Sequence, residues 1–191
     1  MRGETLKITP DWKDAEGKGL KDIGWALEYE GSIESGERIE IEIGPGWLKV
    51  SGSLRSKLSI SARGGISAGD GISAGRGISA RGGISAGRGI SAGRGISAGR
   101  GISAGDGISA GWGISARDGI SAGRGISAGL SITCKKVLKW SLNLFAGTAV
   151  YKKPTEEESV VEARDLQGGE VKHGIVRLLP MESSEPVKET S

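Results

Sequence analysis

Cysteine, histidine, proline and aromatic residues are all scarce in this chain of 191 residues, which has one Cys, one His, five Pro, five Trp, two Tyr and one Phe. A lone Cys134 excludes a disulfide framework and a thiolate metal cluster within the chain. Five prolines, without glycine at every third position, exclude a collagen-like fibre. No stretch approaches the roughly 18 uninterrupted apolar residues of a membrane-spanning helix, so no membrane partner is expected. Met1-Arg2-Gly3-Glu4 opens no apolar run, so no signal peptide is expected either. The residues AVILMFWYC make up only 36% of the chain, thin for a globular enzyme. A cytoplasmic protein, a single domain with small caps, is the expectation.

What is abundant is glycine, 35 residues, and it is ordered by a period. Isoleucine recurs every six residues at 60, 66, 72, 78, 84, 90, 96, 102, 108, 114, 120, 126 and 132, in units of Gly-Ile-Ser-Ala-Gly-x. Such repetition takes precedence over local propensity. Ile-Ser-Ala alternates apolar, polar, apolar, which predicts a three-residue strand with Ile and Ala inward and Ser outward. Gly-x-Gly then offers residues that accept positive φ, as a sharp corner demands. Three units depart from the pattern, at Ala62-Arg63-Gly64, Ala80-Arg81-Gly82 and Ala116-Arg117-Asp118. Their spacing in multiples of 18, shared by Lys135, predicts a coil of three hexapeptides. Asp70, Arg88, Asp106 and Arg124 recur at that same spacing and alternate in sign, which predicts a charge ladder along one edge.

The predicted fold is all-β, a single-chain parallel β-helix shaped as a triangular prism. The Ile phase extends back through Leu54 and Leu48 and forward through Leu138, Leu144 and Val150, giving eighteen sides, or about six coils, over residues 48–150. Residues 1–47 form an N-terminal β cap, with Trp12, Trp25 and Trp47 as bulk to close the first coil. Residues 151–179 form a C-terminal β-hairpin cap around Gly168-Gly169, and 180–191 a disordered tail. Thr155-Glu156-Glu157-Glu158 is expected to start a helical turn. Cys134, in the Ala phase, is expected in the core.

The Ala-Gly-x-Gly-Ile-Ser unit resembles that of the hexapeptide-repeat, left-handed parallel β-helix family, whose usual unit is large-apolar, Gly, x, Gly, small, x. The departure is that Ile takes the small inward place and Ala the large one. Many proteins of that family are acyltransferases with a catalytic His. Here the single His173 lies outside the prism, so no catalytic residue is assigned. No phosphate-binding Gly-x-x-x-x-Gly-Lys-Ser/Thr sequence occurs, and the Gly-x-Gly triplets are corners. The serine rows lack a base to activate them. No cluster has metal-ligand spacing. No cofactor and no enzymatic activity are expected.

Charge says more. Residues 1–47 carry 6 Lys/Arg and 11 Asp/Glu, residues 48–150 carry 14 and 3, and residues 151–191 carry 6 and 9. The formal +3 therefore hides a prism of +11 between acidic ends, which points to an anionic partner. Stacking by 18 puts Arg76, Arg94 and Trp112 on one edge and Arg63, Arg81, Arg100 and Arg117 on the next. Between them lies a face of Ser61, Ser79, Ser97 and Ser115. Those seven Arg and Trp residues are the candidate partner-binding set; the alternative is that corner arginines only keep a glycine-rich rod soluble.

Over roughly residues 60–153, the repeat and its exit through Ile132-Thr133-Cys134 and Leu144-Phe145-Ala146-Gly147 also resemble Gly-Ile-x-Ala-Gly β-helical proteins of bacteria and phages. Some of these inhibit host defence, CRISPR nucleases included. The resemblance implies a binding protein in the cytoplasm of a bacterial host that blocks a nucleoprotein such as Cas9 with its guide RNA. The expected partner is a protein or ribonucleoprotein with an anionic surface, with direct nucleic-acid contact open. Three alternatives remain: an acyltransferase-like enzyme using His173, a cyclic-nucleotide sponge, and a rod that assembles end to end. An ice-binding face would need regular Thr rows.

Overall fold

The structure is a computed structural model, and it describes residues 5–180. The chain winds as a parallel β-solenoid of three strands per coil, with about 18 residues in the regular coils and about eight turns in all. Face I carries Ile60–Ala62, Ile78–Ala80, Ile96–Ala98, Ile114–Ala116 and Ile132–Cys134; face II carries Gly65–Ala68, Ile84–Ala86, Ile102–Ala104 and Ile120–Ala122. Face III carries Leu54–Ser56, Ile72–Ala74, Ile90–Ala92, Ile108–Ala110 and Ile126–Ala128. Each Ile pairs with the Ile one coil away, as Ile72 with Ile90, and Ser and Ala stack likewise. The long strand Val137–Ala146 runs round a corner and joins faces II and III into one sheet.

The six-residue pattern works because each element of it answers one physical demand. Ile and Ala alternate with Ser, so period two buries the first two and exposes the third. Every repeat Ile is at most 2% exposed, and each contributes about 1.5–3 kcal/mol. Ala, pointing inward like Ile, is small enough to leave room for it within a narrow core, and the 60–132 repeat places no aromatic residue there.

The corner glycines act by a different means from the one expected. Among the described residues the positive-φ glycines are Gly17, Gly24, Gly31, Gly44, Gly147 and Gly174, all outside the 60–132 repeat. The repeat glycines are required for space. A Cβ on Gly93 would lie 2.2 Å from the Gly75 carbonyl oxygen, and one on Gly105 would lie 2.1 Å from that of Gly87. Successive coils touch backbone to backbone at these corners, and only hydrogen fits between them. Where Arg63 takes the place after Ala, the close approach moves one residue on: a Cβ on Gly64 would collide with the Gly46 carbonyl.

Both ends differ from expectation. The coil count exceeds six because residues 26–41 and 160–178 add strands in register with the repeat. Ala26–Tyr29, Ile33–Ser35 and Ile39–Ile41 pair parallel with Trp47–Val50, Leu54–Ser56 and Ile60–Ala62. With Ile39 against Ile60, this coil is longer than the regular ones by half a repeat unit. Leu6–Ile8 adds one further strand on face I. Residues 9–24 close that end: Lys21–Asp22 pairs antiparallel with Leu27 and Glu28, and Trp12 meets the Tyr29 ring edge-on at 5.3 Å. The Tyr29 hydroxyl donates to Asp14 Oδ2 (2.6 Å), which pushes the phenol up to about 12. Trp25 is exposed and Trp47 lies against Gly65 and Gly83, so of the three tryptophans only Trp12 packs over the end of the core.

At the other end the expected hairpin is absent among the described residues. Val160–Ala163, Asp165–His173 and Ile175–Leu178 pair parallel with the coil before them, as another turn of the solenoid. Gly168-Gly169 sits within the edge strand rather than in a turn, because Gly168 lies against the Trp140 ring and backbone, where a side chain would not fit. Val150, expected inward, is fully exposed: Gly147 (φ +78°) turns the chain out of the coil, and face I resumes only at Val160. The excursion includes the expected helical turn, a 3-10 turn at Glu157–Ser159, with Thr155 Oγ1 accepting from the Glu158 amide (3.3 Å). Cys134 is buried as expected, and burial pushes its thiol up to about 11. Residues 181–191 of the expected tail lie outside the described residues.

Candidate docking face

The three edges of the prism share one backbone scheme and differ in what stands between the glycines. On the II/III edge the charge ladder resolves into pairs, with Arg88 Nε 3.4 Å from Asp70 Oδ1 and Arg124 Nε 3.7 Å from Asp106 Oδ1. On the III/I edge, Arg76, Arg94 and Trp112 stack directly: the Arg94 amide donates to the Arg76 carbonyl (3.0 Å) and the Trp112 amide to that of Arg94 (3.3 Å). The Arg94 guanidinium lies 5.2 Å from the centre of the Trp112 ring, a cation–π contact worth about 0.5–1 kcal/mol at an exposed site. Trp112 still leaves 43% of its surface in solvent. Column neighbours Leu58 and Leu130 bring no anionic side chain to this edge.

The I/II edge has two columns. Arg63, Arg81 and Arg117 occupy the first corner position, their amides donating to carbonyls one coil away (3.2–3.3 Å). Arg100 occupies the second, followed in its column by Asp118 and Lys136. Lys136 Nζ sits 2.9 Å from Asp118 Oδ1. That bond, and then the charges of Lys136, Arg100 and Arg117, hold the Asp118 carboxyl below its usual range. This edge is therefore mainly basic, with Asp118 as a counter-charge beside Lys136 and Arg100 and Glu42 in register below Arg63. All seven residues of the expected binding set are exposed, on the two edges that border face I.

Face I itself is flat, with Ser61, Ser79, Ser97, Ser115 and Thr133 in register along its outer surface. The shallow trough along it, about 510 Å³, is matched by one of about 550 Å³ on face III. Size does not distinguish the faces; their borders do, since face III is bordered on one side by the paired Asp/Arg edge.

One contributor was hidden from sequence reasoning. Tyr151, in the excursion after Gly147, places its ring 6.3 Å from that of Trp112 and is itself half exposed. Its neighbour Val150 held the Ile phase and so read as core. The signal that could have exposed the departure is Gly147 followed by Pro154, a turn residue and then a strand breaker.

His173 ends the strand Asp165–His173, with Nδ1 2.5 Å from the Ala146 carbonyl oxygen, to which it donates. Among the described residues, no group of three or more His, Cys, Asp or Glu is arranged to hold a metal ion, and no helix is long and apolar enough to cross a membrane. Comparison with protein-family models, with curated proteins and with solved structures finds no match to this chain.

Proposed function

We propose that the protein is a non-enzymatic docking inhibitor that binds an anionic partner through face I and its two basic edges. The partner in this reading is a nucleic-acid-handling protein or ribonucleoprotein, with a Cas9-type effector and its guide RNA as the instance to test first.

The observation that carries the reading is the Arg76–Arg94–Trp112 column. Like charges stacked one coil apart, about 4.8 Å, repel each other in the free protein, and an incoming phosphate or carboxylate relieves that repulsion. The same backbone position on the II/III edge carries alternating signs, so stacking arginine on arginine is not a requirement of the fold. Trp112 is held between Arg94 and Tyr151 before any partner arrives, which lowers the ordering cost of using it as an anchor. Phosphate contacts come mainly from Arg and Lys, and no base-reading element accompanies these, so the contact is to backbone phosphate or acidic protein surface. The engagement of the His173 ring with a main-chain carbonyl supports a structural role for it.

The test is DNA cleavage by a Cas9–guide RNA complex titrated with the protein and with a variant carrying Arg76→Glu, Arg81→Glu, Arg94→Glu and Arg100→Glu. Cleavage should stop with the former and continue with the latter. Unimpeded cleavage with the unaltered protein removes this effector as the partner. Both proteins then serve as baits in bacterial lysate, with and without nuclease treatment. Equal capture of every partner by both would contradict the docking face itself.

A further inference from the structure

A tryptophan, a tyrosine and a cation meet at two places in this protein, and the two clusters are finished differently. In the N-terminal cap, Tyr29 has the Trp12 ring at 5.3 Å and the Lys18 ammonium at 5.6 Å. It is only 7% exposed, and its hydroxyl is bonded to the Asp14 carboxylate. On the III/I edge, Trp112 has the Tyr151 ring at 6.3 Å and the Arg94 guanidinium at 5.2 Å, yet the two rings are 43% and 52% exposed. Their planes diverge by 45°, so they do not seal against each other. Among the described residues, no carboxylate pairs with Arg94 or with Arg76 below it. The nearest acidic residue of the column, Glu37, lies a coil below Leu58, and Glu158 of the excursion is engaged by Lys152. The first cluster is closed and balanced within the chain; the second is open and carries uncompensated positive charge.

From this we infer that the Arg76, Arg94, Trp112 and Tyr151 cluster binds single-stranded nucleic acid, with a base stacked on the aromatic pair and the adjoining phosphates on the arginines. The inference rests on the docking reading of this edge and narrows its anionic partner to one that offers an unpaired base. Charge and ring together select that occupant. A carboxylate neutralises an arginine but has no ring to lay on Trp112, and a duplex keeps its base faces stacked inside. A single strand supplies an anion and an open aromatic face in each nucleotide, which is the combination that stacking platforms beside basic tracks hold. The dimensions agree: Arg76 to Trp112 is two coil steps, about 10 Å at the strand spacing, against about 3.4 Å per phosphate along one strand. The footprint is therefore about three nucleotides. Stacking uses the face that every base has, so binding is indifferent to sequence, in keeping with the lack of a base-reading element.

Fluorescence polarisation of a labelled oligothymidylate of about ten nucleotides, titrated with the full chain at low salt, tests this. The comparison probes are an abasic strand with the same number of phosphates, a blunt duplex of the same length, and polyglutamate. The oligothymidylate should bind with a Kd of about 1–100 µM, at least about fivefold tighter than the abasic strand. Trp112→Ala should remove that advantage with an unchanged circular-dichroism spectrum, since the side chain is half exposed. Tyr151→Leu should reduce it and Tyr151→Phe should keep it. Arg76→Gln should preserve the advantage while lowering the slope of log Kd against log salt by about 0.7. The inference is overturned if intact and abasic strands bind equally, or if polyglutamate binds more tightly than the oligothymidylate. It is equally overturned if Trp112→Ala keeps the advantage, or weakens the duplex and polyglutamate as much as the single strand. No protein partner is present in this assay, so any of these outcomes refutes the stacked strand even where the protein still blocks Cas9 cleavage through its docking face. A strand advantage that Trp112→Ala abolishes upholds the stacked strand even where cleavage runs unimpeded.

Discussion

Along the II/III edge the residue between the glycines runs Asp70, Arg88, Asp106, Arg124; along the III/I edge it runs Arg76, Arg94, Trp112. The backbone beneath is the same, the Arg88 amide meeting the Asp70 carbonyl at 2.8 Å and the Arg94 amide meeting that of Arg76 at 3.0 Å. One edge balances its charge within the chain and the other does not. The difference teaches that the repeat separates two tasks: Ile, Ala and Gly specify the coil, while the sixth residue is free to be used for interaction.

If the edges share their backbone constraint, Gly93→Ala and Gly105→Ala should lose stability equally, each by at least ~3 kcal/mol in denaturant unfolding, because a methyl group cannot fit about 2 Å from a carbonyl oxygen. Gly95→Ala, whose Cβ would lie 3.3 Å from the nearest carbonyl, should stay within about 1 kcal/mol of the parent. Unequal losses at positions 93 and 105 would break the comparison at its base.

The shared core offers a control. Cys134 is protonated more tightly folded (about 11) than unfolded, so its contribution is intact below the ordinary thiol range near 9 and is lost as pH rises from there through 11. The parent should lose about 2–3 kcal/mol more across that window than Cys134→Ala, which matches the Ala116 and Ala163 around it. Partner affinity at neutral pH should not change with that substitution.

Smaller effects separate the edges themselves. Asp70→Asn and Asp106→Asn should each change stability by under ~1 kcal/mol, since both pairs are largely solvated, and they would give the II/III edge an unbalanced charge of its own. Asp118→Asn, which removes the counter-charge beside Arg100 and Lys136 on the I/II edge, should raise partner affinity about two- to threefold in a binding titration. A fall in affinity would mean that Asp118 orders the edge rather than weakening it.

The all-β solenoid, its regular three-unit coil and the Asp/Arg pairing were legible because a strict period leaves few alternatives. The first coil was missed although Leu27, Ile33 and Ile39 keep the same six-residue spacing. A lengthened corner, turned by Gly44 at φ +82°, offsets the phase by half a unit before Leu48, and period counting back from Ile60 stops there. The last coil is instead shortened by half a unit, with Val161 against Val176, and no sixfold count reaches it. The reason for the corner glycines was also out of reach, since the approach of neighbouring backbones is a property of stacked coils and not of any one unit. Arg76, Arg94 and Trp112 could be aligned from spacing alone, whereas Tyr151 could not, because its place depends on an irregular excursion.

The most direct measurement compares charge reversal on the two edges in parallel: Arg76→Glu with Arg94→Glu against Arg88→Glu with Arg124→Glu, each titrated by calorimetry against the same nucleoprotein partner. The III/I pair should weaken binding at least ~100-fold, and the II/III pair should leave it within about threefold. Equal losses at both edges, or none at either, would contradict the account.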